Sequence, residues 1–183
     1  LDPLEGVPLG ITLMGYLAQG QPLVEIRERW LAERTHMLQR GAANHPLLNL
    51  EVSYEVSISA PQMDAASKRL LSTLATFPAG VAQADLASVF PTETYRVAGV
   101  LRQLALVFDE GNRLRLLAPL REYVSRQYPV TDDDFRTASA FYLQLATSRS
   151  PEVGGPSGQD AVHVLLPEVS NIQLSMLGRL EAR

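Results

Sequence analysis

The chain of 183 residues contains no cysteine. That excludes a disulfide framework, a thiol nucleophile and any thiolate metal site. Long apolar runs are also missing: no stretch approaches the roughly 18 consecutive apolar residues of a membrane span. The first residues lack the basic segment that opens a secretory signal peptide. Positive charge is in deficit, with 16 Lys and Arg against 20 Asp and Glu, a net charge of −4. A dedicated nucleic-acid binder usually carries the opposite balance. Histidine is scarce. His36, His45 and His163 are scattered with no partner at i+3 or i+4, so neither a metal pair nor a general base is indicated. What remains is ordinary globular composition, 46% hydrophobic with mean hydropathy near zero. The length suits one domain or two or three small ones, and a soluble, cytoplasmic protein is expected.

The chain begins with a loop feeding a helix. Gly6-Val7-Pro8 places proline where a first helical turn tolerates it, because that position needs no backbone N–H. Leu9, Thr12, Leu13, Tyr16 and Leu17 then recur at helical spacing up to Gly20. Pro22 opens a second helix with Leu23, Ile26, Trp30 and Leu31 on one face and charges on the other, stopping near Arg40-Gly41. Residues 47–59, "LLNLEVSYEVSIS", fit two templates. Val52, Tyr54, Val56 and Ile58 alternate as in a strand, while Leu48, Val52 and Val56 also fit helical spacing. Periodicity leans to strand.

From Ala65 the pattern is clearer. Ala65 to Thr76 reads as a helix with Leu70, Leu71 and Leu74 inward, followed by a short helix over Gln83–Phe90. A third, Thr94–Ala105, carries Val97, Val100, Leu101 and Leu104 inward. "LVFDEGNRLRLL" reads as a hairpin turning at Asp-Glu-Gly-Asn, and another helix starts at Pro119. Three helices and a two-stranded wing are the order of a winged helix. Thr131 or Asp132 can cap the next helix, whose aspartates Asp132, Asp133 and Asp134 favour its positive end. "SRSPEVGGPSGQD" reads as a flexible linker over 148–160. The last helix candidate runs from Val162 to about Leu180, with Pro167 early in it and little to pack against.

Motifs with chemistry are few. Ser53 and Ser57 lack a His/Asp constellation, and Trp30 suits a core anchor. The three aspartates could hold a cation, but capping explains them more simply. Arg96, Arg102 and Gln103 offer a DNA reader only a few phosphate contacts, and Glu93 stands where it would approach the bases.

Two segments nevertheless resemble one family. "GVPLGITLMGYLA" is similar to the GxP segment of the STAND (NB-ARC-type) nucleotide-switch ATPases, where Gly-Leu-Pro-Leu-Ala is common. "RLRLLAPLREYV", at 113–124, resembles the strand-to-helix junction of their winged helix, where many members carry Met-His-Asp. "WLAERTHML" and "NLEVSYEVSI" resemble helical-subdomain segments of microbial and fungal, NLR-like members, and "LLPEVSNIQLSML" the helices leading into TPR-like repeats. The segments occur in the family's order.

The resemblance implies a mainly α fold: a helical subdomain over 1–59, with 47–59 helical, a winged-helix domain with a small β-hairpin over 60–128, and the start of a TPR-like region over 129–183. It implies ADP or ATP in the intact parent protein, with Gly6, Pro8, Leu9 and Leu117 as the nucleotide-contacting positions. By its own position Pro8 reads first as a helix-start proline; in the family the proline packs near the adenine, so the resemblance implies a nucleotide contact for Pro8 in the intact protein. Leu117 and Ala118 align with the motif's His and Asp. The histidine reaches the nucleotide's β-phosphate, and a leucine cannot. The sequence has no Gly-x-x-x-x-Gly-Lys-Ser/Thr, so the P-loop belongs to a nucleotide-binding domain that this sequence does not include. No ATPase activity and no bound nucleotide are expected of this chain alone. Its expected partners are that domain, a C-terminal repeat domain and further copies in an activated oligomer, with no membrane and no nucleic acid. The alternative is a winged-helix transcription regulator with a helical effector domain.

Overall fold

A computed structural model describes residues 8–39 and 46–181. In chain order the elements are α1 (Pro8–Leu17), α2 (Leu23–Gln39), α3 (Pro46–Ile58), α4 (Ala65–Thr76), β1 (Val81–Ala82), α5 (Leu86–Val89) and α6 (Thr94–Gln103). There follow β2 (Phe108–Glu110), β3 (Arg113–Arg115), α7 (Ala118–Gln127), α8 (Asp132–Arg149), α9 (Gly158–Leu165) and α10 (Val169–Glu181). The fold is mainly helical, with one small antiparallel sheet in the order β1-β3-β2. By contact the chain divides into two compact units, residues 1–68 with 96–108 and residues 69–95 with 109–183.

In the first unit α3 is the centre, with α1 and α2 packed on it. Leu50, Val52, Tyr54, Val56 and Ile58 are all buried, and so are Asn49, Ser53 and Ser57. A helix covered on all but one edge, here Glu51 and Glu55, shows little amphipathic stripe, which is why its sequence reads as either strand or helix. Its serines spend their hydroxyls locally: Ser53 Oγ donates to Asn49 O and Ser57 Oγ to Ser53 O. Trp30 is buried as a core anchor, its Nε1 donating to Ser53 Oγ at 3.3 Å. The expected face of α2 is narrower than its apolar residues suggest. Ile26 and Trp30 are buried, whereas Leu23 is 71% and Leu31 42% exposed. The expected helix at the chain start has Leu13 and Leu17 buried, with Tyr16 turned outward.

The N-terminus of α4 is capped by Asp64, whose Oδ1 accepts from the Ser67 N–H at 2.8 Å. Arg96 donates to the other carboxylate oxygen at 2.7 Å. The Ser67 N–H, with the Arg96 charge behind it, holds this carboxyl down at about 2. Val97 and Leu101 of α6 and Leu104 just after it are buried as the spacing predicts, Ala98 is buried beside them, and Val100 lies half-buried.

In the second unit Leu70, Leu71 and Leu74 are buried. Phe77 stacks against Phe135 and Tyr142 of α8 at ring centroids 6.0 and 5.1 Å apart. The short helix expected over Gln83–Phe90 is α5 alone, because Val81 and Ala82 pair with Leu114 and Arg113 of β3. The hairpin turns on Gly111 and Asn112, both with positive φ (53 and 62°), as a type I′ turn requires, while Asp109 and Glu110 stay in the strand. Thr131 caps α8: its side chain accepts from the Asp134 N–H. Asp134 is tied by Arg69, whose Nε and Nη2 donate to its two oxygens at 2.8 and 2.5 Å. That pairing holds the Asp134 carboxyl below its ordinary range.

The chain end departs most from expectation. A 3₁₀ turn at Leu166–Glu168, containing Pro167, divides it into α9 and α10, since proline cannot donate within a continuous helix. Far from lacking a surface, α10 packs along α8. Gly178 meets Phe135 so closely that a Cβ there would lie 2.5 Å from the ring.

Candidate functional site

Of the four nucleotide-contacting positions, Gly6 lies outside the described residues. Pro8 opens α1 with Leu9 behind it, in the first unit. Leu117, in the second, is the residue before α7, extended at φ −63 and ψ 143 and 41% exposed. Its aliphatic side chain caps nothing and can offer only apolar contact. The two arginines nearest it in sequence are engaged: Arg115 with Glu110 across the hairpin, and Arg121 with the Pro78 carbonyl at 3.4 Å.

The other candidates resolve into structure. His36 lies on α2, His163 is exposed on α9, and His45 falls outside the described residues. Among the described residues no group of three His, Asp or Glu side chains could hold a metal ion. Of the residues offered to DNA, Arg96 is bound to Asp64. A surface groove of about 450 Å³ between α5 and α8 is lined by Ser88, Thr137, Phe141, Gln144, Leu145 and Ser148. Two of its hydroxyls are spent on their own helix, Thr137 on Asp133 O and Ser148 on Leu145 O, and no charge faces it.

The densest chemistry is a cluster that local sequence patterns do not reveal. Glu168, 3% exposed, accepts from Arg113 Nη1 at 2.5 Å and Nη2 at 2.9 Å. Asn171, fully buried, donates to the second carboxylate oxygen of Glu168 and to the Gly80 carbonyl, each at 2.9 Å. Its Oδ1 accepts from the Ala79 N–H at 3.1 Å. Arg113 completes the ring by donating to Ala79 O and Gly80 O. Gly80 has φ +67°, and a Cβ there would meet the Leu114 carbonyl at 2.5 Å. Only glycine suits that approach. Burial, reinforced by the Glu168 charge, pushes both the Asp85 carboxyl and the Tyr142 phenol above their ordinary values.

The arrangement is a fully hydrogen-bonded ion pair closing on a turn, and it ties β3 and the Ala79–Gly80 turn to the start of α10. Its members are up to 92 residues apart. The one available signal was the alternation of Arg113 with Leu114, and that pattern reads as a solvated strand face. Comparison with protein-family models, curated proteins and solved structures finds no match for this chain.

Proposed function

We propose that this chain is the switch-and-relay portion of a STAND (NB-ARC-type) ATPase. In that role it couples the ADP or ATP state of a nucleotide-binding domain to rearrangement and oligomerisation of the parent protein. The observation that carries the reading is the ordered set of segments. A Gly-Val-Pro sequence leads into α1, and a hairpin runs through Leu116-Leu117-Ala118-Pro119 into α7. The intervening order of α4, α5, α6 and the β2–β3 hairpin suits a winged helix, and α8 to α10 suit the start of a helical repeat region. A hinge-borne relay of this kind works only if nucleotide binds one arrangement better than another, because equal affinity shifts nothing. With leucine at 117, retention of the nucleotide would rest on the apolar Pro8 contact and the absent domain, without a histidine on the β-phosphate.

The test is on the parent protein, purified without added nucleotide, denatured, and its supernatant resolved by ion exchange. Near-stoichiometric ADP is expected, and Pro8→Ala should reduce the amount retained. No nucleotide, together with salt-dependent binding to duplex DNA, would replace this reading with a winged-helix transcription regulator. Indifference to both would leave a protein-interaction adaptor.

A further inference from the structure

The C-terminal helical segment is built with its polarity reversed. Among its described residues the inward stripe is Glu168, Asn171, Ile172, Ser175 and Gly178; Ile172 and Ala161 are its buried apolar side chains, with Leu165 and Leu174 half-buried. Most of its other apolar side chains face water: Leu166 is 68%, Leu177 59% and Met176 49% exposed, with Val162 and Val169 also outward. Helices that are permanent parts of a core do the opposite. The segment is therefore keyed at its centre by polar groups, and leaving its seat exposes Ile172, Ala161 and the α8 surface it covers, less apolar surface than unfolding the whole second unit. Those keys do not loosen gradually. A partial withdrawal would strand the Glu168 carboxylate and the Arg113 guanidinium unpaired in a buried site, and would orphan the Ala79 N–H. Fully withdrawn, Glu168 and Asn171 regain water, and Arg113 keeps the Ala79 and Gly80 carbonyls.

We propose that residues 158–181 form a strap that seats and releases as one unit, keyed by Glu168 and Asn171 to Arg113 and the Ala79–Gly80 turn. Its two positions give the second unit a built-in bistable element, independent of any nucleotide. The proposal stands on this geometry whether or not the switch reading holds.

Native-state hydrogen exchange of the full chain over low urea concentrations tests it. The Ala79 amide and the α10 amides should exchange through one shared opening. That opening should show a small urea dependence and lie well below the opening that exposes Leu71 and Leu74 in α4. Glu168→Gln should lower protection at Ala79 and in α10 together by roughly 10- to 100-fold, leaving Leu71 and Leu74 unchanged. Three results overturn the strap: α10 exchanging only with Leu71 and Leu74, Ala79 exchanging independently of α10, or Glu168→Gln unfolding the whole chain. The wild-type urea series decides the first two without any variant.

Discussion

Single residues carry the backbone costs of this fold. Ala105 holds φ +53° directly after α6, where the Leu106 N–H reaches Leu101 O and the Ala105 N–H reaches Arg102 O, both at 3.0 Å. That pattern is a Schellman cap, and its left-handed position favours glycine. The left-handed conformation costs alanine about 1–2 kcal/mol, while glycine loses about 0.4–1 kcal/mol through its freer unfolded chain. Ala105→Gly should therefore stabilise by about 0.5–1 kcal/mol, read as a raised urea midpoint at unchanged slope. A lowered midpoint would mean the side chain is worth more than the strain. Asp134 sets a pH dependence. Arg69 depresses its folded pKa, so its stabilisation is present above about pH 4, the ordinary carboxyl value, and is lost as pH falls through the folded value. Asp134→Asn should cost about 1 kcal/mol at pH 7, a figure reduced because Arg69 is 44% exposed. The gap to wild type should close as pH falls below the ordinary carboxyl value and through the lowered folded one; a gap that persists in acid would assign the loss to packing instead of charge.

Elements differ in how much of themselves their sequence discloses. α6 has one buried stripe, and in α4 the leucines Leu70, Leu71 and Leu74 keep the period although Ser72, Thr73 and Ala75 are buried beside them, so period 3.6 finds the inward apolar residues of both. The hairpin is legible because Gly111-Asn112 meets the positive φ that its turn demands. α3 is not, because burial on all but its Glu51–Glu55 edge blurs the stripe, and α10 is misread, because several of its apolar positions point outward while polar ones point in. The strand β1 is two residues long and exists only through its pairing with β3, so no local pattern could separate it from the short helix after it.

At the scale of the molecule, each compact unit is assembled from two separate stretches of chain. Residues 96–108, with buried Val97, Leu101 and Leu104, belong with residues 1–68. A fragment cut to residues 69–183 would carry those side chains without their own unit, forfeiting roughly 1.5–3 kcal/mol for each large apolar one. Such a fragment should bind a hydrophobic dye and melt well below the full chain. A fragment that melts at the full-length temperature without dye binding would show that α6 needs nothing from residues 1–68. Among the described residues no helix is long and apolar enough to cross a membrane, consistent with the absence of long apolar runs.

The sequence by itself determined what local physics decides: helices where apolar residues recur at one period, a turn where glycine and asparagine meet, a cap at Thr131 or Asp132, and no cysteine chemistry. Tertiary structure alone decided which way α10 faces, that Glu168 and Arg113 are buried together, and that Asn171 serves a turn 92 residues away. Those outcomes depend on which groups lose water on folding, and a buried charge is stable only when its distant partner arrives with it. Local spacing contains no record of that partner.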